Sequence, residues 1–345
     1  MASAAQEPVH QPYPLYNTTF TLHRVSPLYT GTNYPIDNKT LRQHARRFRD
    51  ILAGDVLRGV RVGLGPEDGV LARVGALQSV TWEVLVEEDL WNTEGETNMD
   101  TSLGLGAGKG ILVQVSYEKM DYRAILLRAE REASQQESTL EVGQEGFQHF
   151  PLLLTRMPAP LRETFMDFLS TTFDARVAVL HLSGSYLTTT FEKYISDCLM
   201  GEDGEEADLV ESSRTLRKIV KDVQVLIGFD FAHSASSLQT IEFHLTQEDV
   251  PRFVQRWKKV GNGESPFMNA LSSFVMAHLA LDMRNERVRI LRIACGAFVL
   301  GAEGRIKLTE LSGVDSVQTR STWNLVDGLV GISKGGKMST GLDTT

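Results

Sequence analysis

Residues 240–260, TIEFHLTQEDVPRFVQRWKKV, and residues 265–308, SPFMNALSSFVMAHLALDMRNERVRILRIACGAFVLGAEGRIKL, carry the clearest periodicity in the chain. Ile241, Phe243 and Leu245 alternate with Glu242 and His244, the period of a strand with one buried face. Thr246 with Asp249 forms a loose capping box, after which Val250, Phe253, Val254 and Trp257 line one helical face. Ser265-Pro266 opens a second helix whose apolar side is Phe267, Leu271, Phe274, Val275 and His278. Arg287–Leu300 is rich in β-branched and apolar residues, and the turn at 301–304 leads into Arg305–Leu308, which predicts a hairpin. The stretch offers no catalytic group. It predicts an α+β fold.

Outward from this stretch, Tyr16–Val25 alternates as a strand, and 38–53 is an amphipathic helix capped by Asn38 with Leu41, Ala45, Phe48 and Leu52 on its apolar side. Strands are expected at 58–64, 78–87, 110–117 and 121–129, with connections that favour an antiparallel meander. Leu161, Phe165, Phe168 and Leu169 mark a helix after Pro158 and Pro160. Ala175–Leu182 and Val223–Phe231 read as strands, and 185–199 as a helix with Leu187, Phe191, Tyr194, Ile195 and Cys198 inward. The expected organisation is a disordered arm at 1–14, an N-terminal α+β domain at 15–130 and a polar linker at 131–146. A C-terminal α+β domain at 147–312 with the terminal hairpin and a flexible tail at 313–345, either disordered or a docking segment around its apolar island at Trp323–Ile332, complete it.

The 345 residues are enough for a full core, and no apolar run approaches the length that spans a bilayer. The polar first 14 residues have no apolar core, so no signal peptide is expected, and two widely spaced cysteines, Cys198 and Cys295, suit reduced thiols. A net charge of −9 argues against nucleic-acid binding over the whole surface. The charge is uneven, with acidic runs at 83–96 and 201–211 and a basic helix bearing Arg42, Arg46, Arg47 and Arg49. Arginines one turn apart can meet consecutive phosphates, and the bland alternative is a solvated helix face.

The Gly-rich run at 103–110 resembles a phosphate loop only in composition. Leu103 stands where such a loop needs its first Gly and Gly110 where it needs a hydroxyl, and the run precedes a strand. The eight histidines show no HxxxH spacing, and His244 and His278 read as structural residues. Ser183-Gly184-Ser185 lacks the flanking glycines of a nucleophile elbow. Trp82 and Trp257 fall on apolar periods and read as core. No catalytic residue, metal ligand or cofactor site is expected.

Three stretches carry a family resemblance. Pro14–Gly31 contains the block TLHRVSPLY, His149–Leu180 the sequence PLLL followed by FLSTTFD, and Ile241–Leu308 the strand, helix, helix and hairpin described above. In this order they resemble the centromere protein L family, in the style of a fungal member. The resemblance implies curved, mainly antiparallel sheets flanked by helices in two lobes, and a non-enzymatic inner-kinetochore subunit in the nucleus. It implies pairing with a centromere protein N-like partner through C-terminal strands, contact with other inner-kinetochore subunits and with centromeric DNA or its nucleosome, and no membrane. A homodimer is implied for the chain in isolation. On this reading the dimerisation hairpin is Val288–Ile293 with Ala297–Leu308, and Val288, Ile290, Ile293, Phe298, Leu300, Ile306 and Leu308 supply the contacts. Two alternatives stand beside it: a DNA-binding protein acting through the basic helix, and an enzyme with a nucleotide site at 103–110. The same hairpin also reads as an internal part of the core.

Overall fold

Period-two and period-3.6 patterns alternate along the chain, and where the residues are described most of them build the element they predict. The computed structural model describes residues 12–31, 36–57, 74–91, 108–128, 146–199, 216–217, 220–229, 239–250, 252–253, 266–310 and 316–335. They form two compact units. The first comprises Met1–Pro14, Thr21–Val179 and Leu329–Thr345, and the second Leu15–Phe20 and Leu180–Gly328. The strand ladders inside each unit are antiparallel, so the class is α+β.

The first unit contains β1 (Thr19–Val25), β2 (Leu28–Tyr29), α1 (Asn38–Leu57), β3 (Leu77–Leu85), α2 (Glu88–Trp91), β4 (Gly110–Tyr117) and β5 (Asp121–Leu127). It continues with β6 (Phe147–Gln148), β7 (Leu152–Arg156), α3 (Ala159–Phe173) and β8 (Val177–Val179). Its sheet runs β1–β7–β5–β4–β3, with β8 also on β1 and β2 paired with β6. The helix at 38 is capped one residue earlier than expected, since Asp37 Oδ1 accepts from the Thr40 N–H at 2.7 Å. Leu41, Ala45, Phe48 and Leu52 of α1 are buried together with Leu161, Phe165, Phe168 and Leu169 of α3, as their spacing predicts. Trp82 joins them from β3, and its ring lies 5.7 Å from that of Phe168.

Gly110 permits the tight start of β4, because a Cβ there would collide with the Leu126 carbonyl of β5. β7 pairs with both β1 and β5, which ties the chain through Val179 to the first unit. The units therefore divide after Val179 and not at the expected linker, of which 131–145 lies outside the described residues. The expected arm ends in packed structure, because Tyr13 is buried, donates its hydroxyl to the Val86 carbonyl at 2.7 Å and meets the Trp91 ring edge-on. Residues 1–11 and the expected strand at 58–64 lie outside the described residues.

One buried histidine escaped the sequence reading. His23 of β1 shares a 3.0 Å hydrogen bond through Nε2 with the Thr155 hydroxyl, and burial, followed by the Arg162 charge, lowers its pKa from the ordinary 6.5 to about 4. Between those values the unfolded chain binds the proton and the folded chain does not, so stability is full above pH 6.5 and falls toward pH 4. The expected loss from this site is about 3 kcal/mol. His44 and His149 shift in the same direction, so the comparison that isolates His23 is denaturant unfolding of wild type and His23→Gln across this window. The variant is expected to show the shallower slope.

The second unit contains α4 (Gly184–Leu199), β9 (Val223–Phe229), β10 (Thr240–Leu245), α5 (Pro266–Leu279), β11 (Val288–Ala294), β12 (Phe298–Gly301) and β13 (Arg305–Leu308). Helix α6 (Ser316–Ser333) follows, its last residues counted with the first unit. The sheet order is β10–β9–β11–β12–β13. Ser183 is the cap of α4, its hydroxyl accepting from the Tyr186 N–H at 3.1 Å. The predicted inward residues Leu187, Phe191, Tyr194, Ile195 and Cys198 are all buried. The predicted hairpin is a three-stranded meander, because Ala294 and Phe298 flank an additional turn, and Gly304 takes φ +79° in the second one. Within the span expected as the tail, Ser316–Ser333 forms α6, in which Leu325, Val326, Leu329 and Val330 are buried, while 311–315 and 336–345 lie outside the described residues.

Candidate partner interface

The seven residues expected to meet a partner lie within their own sheet. Ile290, Ile293, Phe298, Leu300, Ile306 and Leu308 are buried, and Val288 is half-buried. β11 has β9 on one side and β12 on the other, while β12 lies between β11 and β13. Ladder hydrogen bonds thus occupy both sides of these strands, and their alternation reports a core face. The hairpin is internal to the fold.

The open edge of this sheet is β10. It pairs with β9 from Thr240↔Gly228 to Leu245↔Val223, and no other described strand pairs with it. The Phe229 N–H donates to the Gln239 carbonyl at 3.0 Å, which sets the ladder phase. Backbone groups of an antiparallel strand alternate in direction, so Ile241, Phe243 and Leu245 bond toward β9 while Thr240, Glu242 and His244 point their N–H and C=O groups outward. The side chains follow a different alternation. Ile241 and Phe243 are only half-buried, although their β9 neighbours Ile227 and Val225 are fully buried. On the other face, Glu242 accepts a 2.8 Å charged hydrogen bond from Arg292 of β11. The edge strand of the first unit, β3, is less regular, with a register shift between Leu77 and Ser79 that bends an edge away from pairing.

Helix α5 adds an apolar surface to the same unit. Glu192 of α4 accepts from the Met268 N–H in its first turn at 3.3 Å, and Leu271 and Val275 are buried. The expected inward His278 is exposed, with its ring stacked on Phe274 at 4.2 Å and Nδ1 2.9 Å from the Phe274 carbonyl. Phe253, after β10, meets Phe274 edge-on at 5.5 Å. Met276 and Leu279 remain 46% and 47% exposed, and Ala277 and Ala280 are exposed beside them. No Asp, Glu, Lys or Arg occurs from Pro266 through Leu281, and an uncharged helix that leaves Met276 and Leu279 exposed offers an apolar surface to a neighbour. That signal was legible in the sequence, where the helix was given a single apolar side.

The basic helix keeps its predicted faces. Arg42, Arg46, Arg47 and Arg49 are all exposed, and none forms an ion pair among the described residues. Of the Gly-rich run, 103–107 lies outside the described residues. The Lys109 N–H donates to the Leu85 carbonyl at 2.8 Å, its ammonium lies 3.8 Å from Glu87, and Gly110 already belongs to the β4 ladder. These groups serve the sheet. His244 is exposed on β10, not buried as a structural histidine would be, and Trp82 is buried as expected, while Trp257 and the acidic segment 201–211 lie outside the described residues. Burial pushes the Cys198 thiol up to about 11 and that of Cys295 up to about 12, the reverse of an activated nucleophile. Among the described residues no three His, Cys, Asp or Glu side chains gather as a metal site, and no helix is long and apolar enough to cross a membrane.

Comparison with protein families matches residues 14–333 to the model described as Centromere protein L. Comparison with curated proteins finds no match.

Proposed function

This chain belongs to the centromere protein L family, a structural family of the kinetochore that acts in chromosome segregation, and from that premise we propose a non-enzymatic subunit that pairs with a centromere protein N-like chain. The open edge of β10 carries the reading. Three residues, Thr240, Glu242 and His244, direct backbone donors and acceptors outward, and a partner strand laid antiparallel or parallel along them would satisfy those groups. Ile241 and Phe243 lose their remaining exposure in such an extended sheet, and Met276 and Leu279 of α5 offer further apolar contact. The heterodimer then attaches the inner kinetochore to centromeric chromatin. Co-expression with the centromere protein N-like chain of the same organism, followed by size-exclusion chromatography, tests it. Co-elution at equal amounts supports the pairing. Separate elution at micromolar concentration rejects it, and elution of this chain as a homodimer that the partner does not dissociate also rejects it.

A second reading, direct contact with centromeric DNA, is supported by the four exposed arginines of α1, none of them in an ion pair among the described residues. Replacing Arg42, Arg46, Arg47 and Arg49 by Ala is expected to reduce the slope of log K against log salt by about three to four units if all four meet phosphates. Fluorescence anisotropy with duplex DNA over a salt series measures this slope. An unchanged slope removes α1 from the DNA contact.

A further inference from the structure

On the sheet of the first unit, the direct neighbours Thr81 of β3, Gln114 of β4, Arg123 of β5 and Arg156 of β7 form one row. Directly opposed residues of neighbouring strands share a face, so two guanidinium groups stand side by side on it. Like charges in this position destabilise a sheet, and the Asp121 carboxylate offsets only part of the repulsion that Arg156 exerts on Arg123, since neither arginine is in an ion pair among the described residues. Arg123 is half-buried, and its buried Nε finds no hydrogen-bond acceptor among the described residues. An orphan charged donor beside a second unpaired arginine is a costly arrangement, and an oxyanion would satisfy both.

From this geometry we infer that Arg123 and Arg156 bind a single phosphate group, carried by a phosphorylated serine or threonine of a partner segment. A phosphate monoester brings about −1.5 to −2 charges, which matches two guanidinium groups. Arg forks engage phosphate oxygens in pairs, and opposed residues lie close enough, at roughly 5 Å between Cα atoms, for both forks to reach one group. Gln114 and Thr81 extend the row with neutral polar groups. The rows on either side limit the ligand. One, Ser79–Ser116–Asp121, ends in a carboxylate, and two residues along β3 the next row begins with the exposed Glu83. A duplex, with a charge about every 1.7 Å along its axis, would press phosphates against both acids. A discrete dianion at the arginine pair meets only the Asp121 charge beside Arg123.

The test uses the full chain with inorganic phosphate and phosphoserine as probes, and chloride at matched ionic strength as the control. Melting temperature is expected to rise saturably with either phosphate and not with chloride. Arg123→Gln and Arg156→Gln each are expected to weaken the phosphate response by about tenfold or more, the loss of a charged hydrogen bond. Without phosphate, Arg156→Gln is expected to melt no lower than wild type, because the opposed charge is gone, which also shows that the variant folds. Arg156→Lys, keeping the charge without the fork, is expected to fall between. A response equal to that with chloride overturns the inference, as does a phosphate response in both Gln variants equal to that of wild type. Duplex binding that depends on these arginines without any response to phosphate overturns it in favour of nucleic acid.

Discussion

Replacing His244 by proline is expected to abolish co-elution with the centromere protein N-like chain while the isolated protein melts within about 2 °C of wild type. The asymmetry follows from the ladder phase. Phe229 bonds to Gln239, so every second residue from there, including Ile241, Phe243 and Leu245, uses its backbone toward β9. The His244 N–H therefore points to the open side, and its side chain is exposed on a face where proline meets no packed core. Proline on an outward-facing edge position costs the fold little, but it removes a donor from the docking edge and places a ring where the partner backbone would lie. Phe243→Pro is the internal control. Its N–H belongs to the β9 ladder, and its loss is expected to destabilise the unit by about 3 kcal/mol or more. Co-elution that survives His244→Pro rules out β10 as the docking edge, leaving the apolar side of α5 as the surface to change next.

Truncating Phe168 to Ala is expected to lower the stability of the first unit by about 3–5 kcal/mol, a large share of the roughly 5–15 kcal/mol typical of a domain. Phe168 is the point at which three elements meet. Its ring lies 5.1 Å from Phe48 of α1, 5.7 Å from Trp82 of β3 and 6.4 Å from Phe173 at the end of its own helix. Removing it leaves a cavity that three rigid rings cannot collapse to fill, so the lost transfer energy and the cavity cost add. Urea unfolding followed by circular dichroism measures the loss. Phe168→Leu, which keeps most of the volume, is expected to cost clearly less, and Asp167→Ala, exposed one residue away, within about 0.5 kcal/mol. A loss below about 1 kcal/mol for Phe168→Ala would mean that α3 is not held by this cluster.

Local pattern alone was enough to place most elements of this chain. The i, i+4, i+7 spacing of Leu41, Ala45 and Phe48, the run Leu161–Phe165–Phe168–Leu169 and the alternation of Ile241, Phe243 and Leu245 each state a period and a buried side. The helices and strands were legible because periodicity is a property of neighbouring residues. Helix α6 was not, since glycine and hydroxyl residues dilute its short apolar repeat and such a helix is stabilised by packing more than by propensity. Burial of Ile293, Phe298, Leu300 and Ile306 was equally ambiguous, because an apolar strand face has the same sequence whether it meets its own helices or a partner. Strand order resolved that ambiguity. β11 is interior because the distant β9 pairs beside it, β12 because it is the middle strand of the meander, β10 is an edge because no described strand pairs on its second side, and Arg123 faces Arg156 only because β5 and β7 are neighbours. Side-chain direction is decided by residues one or two positions apart. Which backbone edges stay open is decided by pairings over tens to hundreds of residues, and only the tertiary structure holds those.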